Sequence, residues 1–125
     1  MPAYDKTHSP PAPLAAVTVV QPIGGGDAAH LRGKLDCGAD ITVIPDRLVT
    51  ELDLSPRSHV WARSFDGSFS RRAVYYVRMS VEGFGVPIAR CIAAERDDVL
   101  LGRNVLNHFI LTLDGKNLAF ELVDP

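Results

Sequence analysis

Much that would steer a first reading is missing from this sequence. Only two cysteines, Cys37 and Cys91, occur in 125 residues, too few for a disulfide framework. None of the three asparagines opens a glycosylation sequon. Both absences fit a reducing compartment, and a cytoplasmic address is expected. Neither charge sign dominates, with 13 Lys and Arg against 15 Asp and Glu and a formal net charge of -2. Such a balance calls for no nucleic-acid partner. Arg71-Arg72 is the only adjacent basic pair and reads as a solvated strand end. No run is long enough to cross a membrane: the longest apolar stretch, Leu14 to Val20, is broken by Thr18 and falls far short of the roughly 20 residues required. Upstream of it stand Lys6 and four prolines, Pro2, Pro10, Pro11 and Pro13, unlike a signal peptide. His8, His30, His59 and His108 are scattered at no metal-ligand spacing, so no metal and no cofactor is expected. Gly24-Gly25-Gly26 is not followed by Gly-Lys-Ser/Thr and reads as a flexible turn.

What is present is a pattern of short β-branched runs separated by turn residues. Residues 1–13 are polar and proline-rich and read as an extended arm, a tail or a strap, without a core of its own. Residues 14–125 carry the rest, and 46% apolar composition is enough for one core. Leu14 to Gln21 and His30 to Asp36 predict a hairpin. Leu48 and Leu52 share a face at helical spacing and predict a short helix that stops before Pro56. Within Phe65-Asp66-Gly67-Ser68-Phe69, the Asp-Gly pair predicts a hairpin tip flanked by aromatics. Val74 to Glu82 alternates, with Tyr75, Val77, Met79 and Val81 on one face. Gly83-Phe84-Gly85 predicts the next turn, and Pro87 an edge or a bulge in the strand that follows. Val99 to Leu101 is a further apolar run, Arg103 to Phe109 a short helix, and Ile110 to Val123 a last hairpin. These elements predict an all-β, barrel-like domain.

One segment is chemically pointed. Lys34 to Pro45 runs through an apolar approach, Asp36, Cys37, Gly38 and Ala39, then Asp40 and the β-branched run Ile41-Thr42-Val43-Ile44. Some 65 residues later comes Leu101-Gly102-Arg103-Asn104-Val105-Leu106. The pair of motifs, with a glycine hairpin between them, resembles the two signatures of the retroviral-type, or retropepsin-like, aspartic proteases, and among these the small cellular or bacterial members. The family's usual form is Asp, Thr or Ser, Gly, Ala, and here Cys37 stands at the hydroxyl position. The resemblance implies an acid-protease barrel with a flap hairpin and a short C-terminal helix. It implies that Asp36 is the catalytic aspartate, that Cys37, Gly38, Ala39 and Asp40 form the active-site loop against a peptide or protein substrate, and that Phe65 to Phe69 tip the flap. Thr42, Gly102, Arg103 and Asn104 are implied as support for the loop and the dimer, with Arg103 pairing with Asp40.

Aspartic protease chemistry uses two carboxylates about 3 Å apart that share one proton. The chain holds one Asp-Xaa-Gly-Ala site; Asp66-Gly67-Ser68 and Asp114-Gly115-Lys116 lack the apolar approach and the alanine. A second copy must then supply the second carboxylate, and a homodimer is expected. Cys37 leaves several readings open. A thiol is a poor hydrogen-bond partner where a hydroxyl would join the two loops, so the dimer is looser and Cys37→Thr tightens it. Paired thiols near the axis would instead allow redox control. A catalytically silent dimerisation or peptide-binding module is the third reading, set against by the retained Asp36. A Cys-His protease finds no histidine with a place beside Cys37.

Overall fold

Among the residues that the computed structural model describes, 1–23 and 26–125, the β-branched runs become nine strands and two short helices. Strands β1 (Leu14–Val20) and β2 (Ala29–Leu35) form the expected antiparallel hairpin. Of the predicted glycine turn between them, Gly24 and Gly25 lie outside the described residues. β3 (Thr42–Pro45) runs directly into α1 (Asp46–Glu51), whose Leu48 is fully buried while Arg47 and Glu51 face solvent as an i, i+4 pair.

β4 (Ser58–Arg63) and β5 (Phe69–Val81) make the hairpin predicted around Asp66-Gly67. Gly67 sits at φ +88°, a region closed to most side chains. Asp66 Oδ1 accepts both the amide N–H of Ser68, at 2.9 Å, and its hydroxyl, at 2.7 Å, which fixes the tip. In β5, Val77, Met79 and Val81 are buried as the alternation predicts, and Tyr75 is half-buried. Val74, assigned no place on that face, is also fully buried, at the root of the hairpin where β4 begins to cover β5.

The turn into β6 (Phe84–Ala94) is one residue earlier than expected. Glu82 and Gly83, at φ 50° and 84°, form a two-residue turn, and Phe84 and Gly85 already belong to the strand. Positive φ at both central positions matches the twist of the flanking strands. A glutamate there was not legible as a turn residue, and its place is held from outside: Glu82 Oε2 accepts the Ala16 N–H at 2.7 Å, and the Glu82 N–H donates to the Ala16 carbonyl at 2.9 Å. Pro87 does mark a bulge, since Pro87 and Ile88 together oppose Arg78 alone where the register shifts.

β7 (Val99–Leu101) leads to α2 (Arg103–Leu106), and β8 (Ile110–Asp114) pairs with β9 (Ala119–Val123). β1, β2, β7, β3, β6 and β5 hydrogen-bond in that order, and β5 pairs back onto β1, so six strands close a barrel with β4 outside the ring. Val17, Val19, Ile44, Val77, Val81, Val99, Leu101 and Val105 fill it, each excluded from solvent to 2% or less. A side chain so buried contributes about 1.5–3 kcal/mol. Phe120 of β9 packs into the same core. At the N-terminus, Tyr4 N–H and Pro2 carbonyl bond to Leu118 and Phe120, which lays residues 2–4 along β9, and Ala12 is buried. No helix among the described residues is long and apolar enough to cross a membrane.

Candidate active site

The two motifs meet because of one register. β2 and β7 run parallel with Leu35 beside Leu101, so Asp36 and Gly102 leave the sheet at the same level, and the Asp36 N–H donates to the Leu101 carbonyl at 3.0 Å. The chain then crosses over β7 to reach β3, with the loop 36–41 lying against the start of α2.

That contact is close. A Cβ on Gly102 would lie 2.7 Å from the Ile41 carbonyl carbon, so only glycine lets the two backbones approach. The Gly102 N–H donates to Thr42 Oγ1 at 3.1 Å. Thr42 is fully buried, and both its hydroxyl and its N–H donate to Asn104 Oδ1, at 2.9 and 3.0 Å. Asn104 Nδ2 in turn donates to the Arg90 carbonyl at 2.7 Å, which carries the network on to β6. Arg103 grips the loop from the other side. Its N–H reaches the Ala39 carbonyl at 2.9 Å, one guanidinium nitrogen the Cys37 carbonyl at 2.8 Å, and the other the Asp40 carboxylate. A planar fork can satisfy a carbonyl and a carboxylate together.

Within this frame Asp36 is half-buried, and its Oδ1 accepts the Gly38 N–H at 2.9 Å. Cys37 and Gly38 are exposed, and Ala39 is half-buried. Gly38 does not sit in the left-handed region, and a Cβ there would meet only Asp36 Oδ1, at 3.2 Å. Cys37 and Cys91 are both free thiols. Cys91 faces the core, and burial pushes its thiol up to about 12.

Asp36 opens onto a cleft of about 700 Å3 that runs under the β4–β5 hairpin. Leu100, Val43 and Ile92 stand side by side on β7, β3 and β6 as its floor, Gly38, Ala39, Asp40 and Ile41 form one wall, and Ala62 to Phe65 form the roof. Of the predicted tip residues, Phe65 reaches the cleft and is fully exposed, whereas Asp66, Gly67 and Ser68 make the turn and Phe69 already belongs to β5. Leu100 and Val43 were not identified from sequence as part of a cleft floor; an apolar run in a strand reads as core unless its neighbours are known. Among the described residues no cluster of His, Cys, Asp and Glu has a metal-binding arrangement.

Residues 20–105 match the sequence profile of a family described as aspartyl protease. The chain belongs to the aspartyl protease family. Its fold is retropepsin-like: the Simian foamy virus (mac) protease superposes with a TM-score of 0.59 at 22% identity, over 76% of this chain and 92% of that one. The EIAV protease, solved with the inhibitor HBY-793, gives 0.55 at 19% identity, over 77% and 86%. The retroviral protease-like domain of Ddi1 from Leishmania major gives 0.51 at 14%, over 87% of each chain. At these identities the likeness is one of fold. No curated protein matches the sequence.

Proposed function

We propose that this member of the aspartyl protease family is an endopeptidase that acts as a homodimer, with Asp36 of each copy forming the catalytic pair. The observation that carries the reading is the state of the Asp36 loop: one carboxylate, half-exposed, at the mouth of an apolar cleft under a hairpin, on a loop held at both ends by α2. A lone carboxylate on so constrained a loop is half of a site. With a second Asp36 about 3 Å away, the pair holds one proton between them. The ionised member takes a proton from a bound water as the water oxygen attacks the scissile carbonyl carbon, and the protonated member gives its proton to the carbonyl oxygen. The resulting gem-diol collapses as a proton passes to the amide nitrogen and the C–N bond breaks. The cleft fits an extended peptide with apolar side chains near the cut, and the β4–β5 hairpin serves as the flap that excludes water. Phe65 to Ser68 form its tip, with Phe69 opening β5 behind them.

The β8–β9 hairpin supports a place for the second copy. β9 is flanked by β8 and by residues 2–4, whereas β8 has one edge with no strand beside it among the described residues, and Ile110 is 56% exposed. An edge of this kind is a ready template for pairing.

The test is cleavage of a diverse peptide mixture between pH 4 and 7, read by mass spectrometry for the chain and for Asp36→Ala side by side. Cuts present in the first and lost in the second are expected. Their absence from a sample shown to be dimeric would overturn the reading in favour of a silent peptide-binding module.

A further inference from the structure

β6 carries a second feature beside the cleft floor. Ile92, on the floor next to Val43, and Arg90 are alternate residues of one strand, so they point the same way and stand about 6.6 Å apart along it. Arg90 lines a smaller hollow of about 260 Å3 with Asp40, Ile41, Val60, Trp61, Ala62 and Asn104. Asp40, Ile41 and Ala62 border both spaces, so the hollow continues the cleft, and it lies on the side away from Asp36, which borders only the larger one.

The chemistry of the two compartments differs. The cleft floor is aliphatic. In the hollow the Arg90 side chain is exposed and has no carboxylate within ion-pair distance among the described residues. Asp40 is the one acid there, and Arg103 holds it. Asn104 is spent on Thr42 and on the Arg90 carbonyl. The group left to meet a ligand is therefore a cation, on a backbone tied to the active-site loop.

We propose that Arg90 determines specificity by selecting a substrate with an Asp or Glu two residues further from the cut than an apolar side chain seated over Ile92. An extended peptide presents alternate side chains on one side at the spacing of Ile92 and Arg90, so both contacts are made by one strand. The inference rests on the reading of the cleft as a peptide site and needs no catalysis.

Its test is therefore binding. Asp36→Asn protein, at concentrations where the sample is dimeric, is titrated into fluorescein-labelled peptides that share an apolar centre and carry Asp, Gln or Lys two residues outward on either flank. The Asp peptide is expected to bind about tenfold tighter than the Gln peptide, the ratio given by roughly 1.4 kcal/mol, and the Lys peptide most weakly. Arg90→Glu should reverse the order while leaving the unfolding midpoint in place, since only the backbone of Arg90 serves the fold. Equal binding of the three peptides, an Asp preference that survives Arg90→Glu, or binding of none would each overturn the proposal. Charge-dependent binding that reverses in Arg90→Glu, together with no cleavage by the wild-type chain, would uphold the subsite and remove the endopeptidase reading alone.

Discussion

The carboxamide oxygen of Asn104 accepts two bonds from one residue, the buried Thr42: its hydroxyl at 2.9 Å and its N–H at 3.0 Å. Neither donor has access to water, so Asn104→Ala should cost about 1–3 kcal/mol for each donor left unpaired. Thr42→Ser keeps both donors and the oxygen that receives Gly102 N–H, and should cost far less. Urea unfolding of the two variants gives the comparison, and an equal loss would show that the network is not what Asn104 contributes.

Gly102→Ala is expected to be among the most damaging single changes in the chain. The new methyl would meet backbone at 2.7 Å, which cannot swing aside as a side chain can. Gly38→Ala, whose methyl would meet only a carboxylate oxygen at 3.2 Å, should fold normally. Amide spectra of the two proteins should differ accordingly, with the loop 36–42 displaced in the first and the fold retained in the second.

The two thiols should be sharply unequal. Cys37 is exposed and should react with a disulfide reagent at pH 8, while Cys91 should react only as the protein unfolds. Cys91 also sets a pH dependence. Its thiol is held protonated in the folded state to about 12 against an ordinary 9.0, so its contribution is whole below pH 9 and is lost as pH rises toward 12. Over that interval stability should fall by up to about 1.4 kcal/mol per pH unit from this group, a slope that Cys91→Ala should remove.

Asp66 gives the opposite sign. The Ser68 hydroxyl, and then the Ser68 N–H, lower its carboxyl below 3.8, so the stabilisation of the hairpin tip is present above 3.8 and lost as pH falls through the lowered value. Across pH 4 to 7 the tip should therefore stay ordered. A carboxyl titration followed through the Ser68 amide should move back toward 3.8 in Ser68→Ala.

In the proposed homodimer, Cys37→Thr should tighten association by placing a hydroxyl at the loop position that would face the second copy. The expected gain is about 0.5–1.5 kcal/mol per net hydrogen bond, read as a lower dissociation constant by analytical ultracentrifugation. An unchanged constant would place Cys37 away from the interface.

Local chemistry was legible in the sequence and long-range register was not. The Asp66-Gly67 tip, the Pro87 bulge and the helix after Pro45 could each be read from a few adjacent residues, because turn geometry is a local property. The Glu82-Gly83 turn could not, since the left-handed glutamate is held by Ala16, 66 residues away. The meeting of Arg103 with Asp40 followed from the family resemblance, yet the reason for it, β7 lying between β2 and β3, is not written in either motif. Leu100 and Val43 went unassigned for the same cause: each looks like ordinary strand until three strands distant in sequence are set side by side.

The ring of six strands closes without β4. Opening of the proposed flap would therefore leave every barrel seam intact, because β5 pairs with β4 through Phe69–Val74 and with β6 and β1 from Tyr75 onward. Access to the cleft and the integrity of the scaffold are thus separable properties, and the tip can change in length or composition without the rest of the molecule having to answer for it.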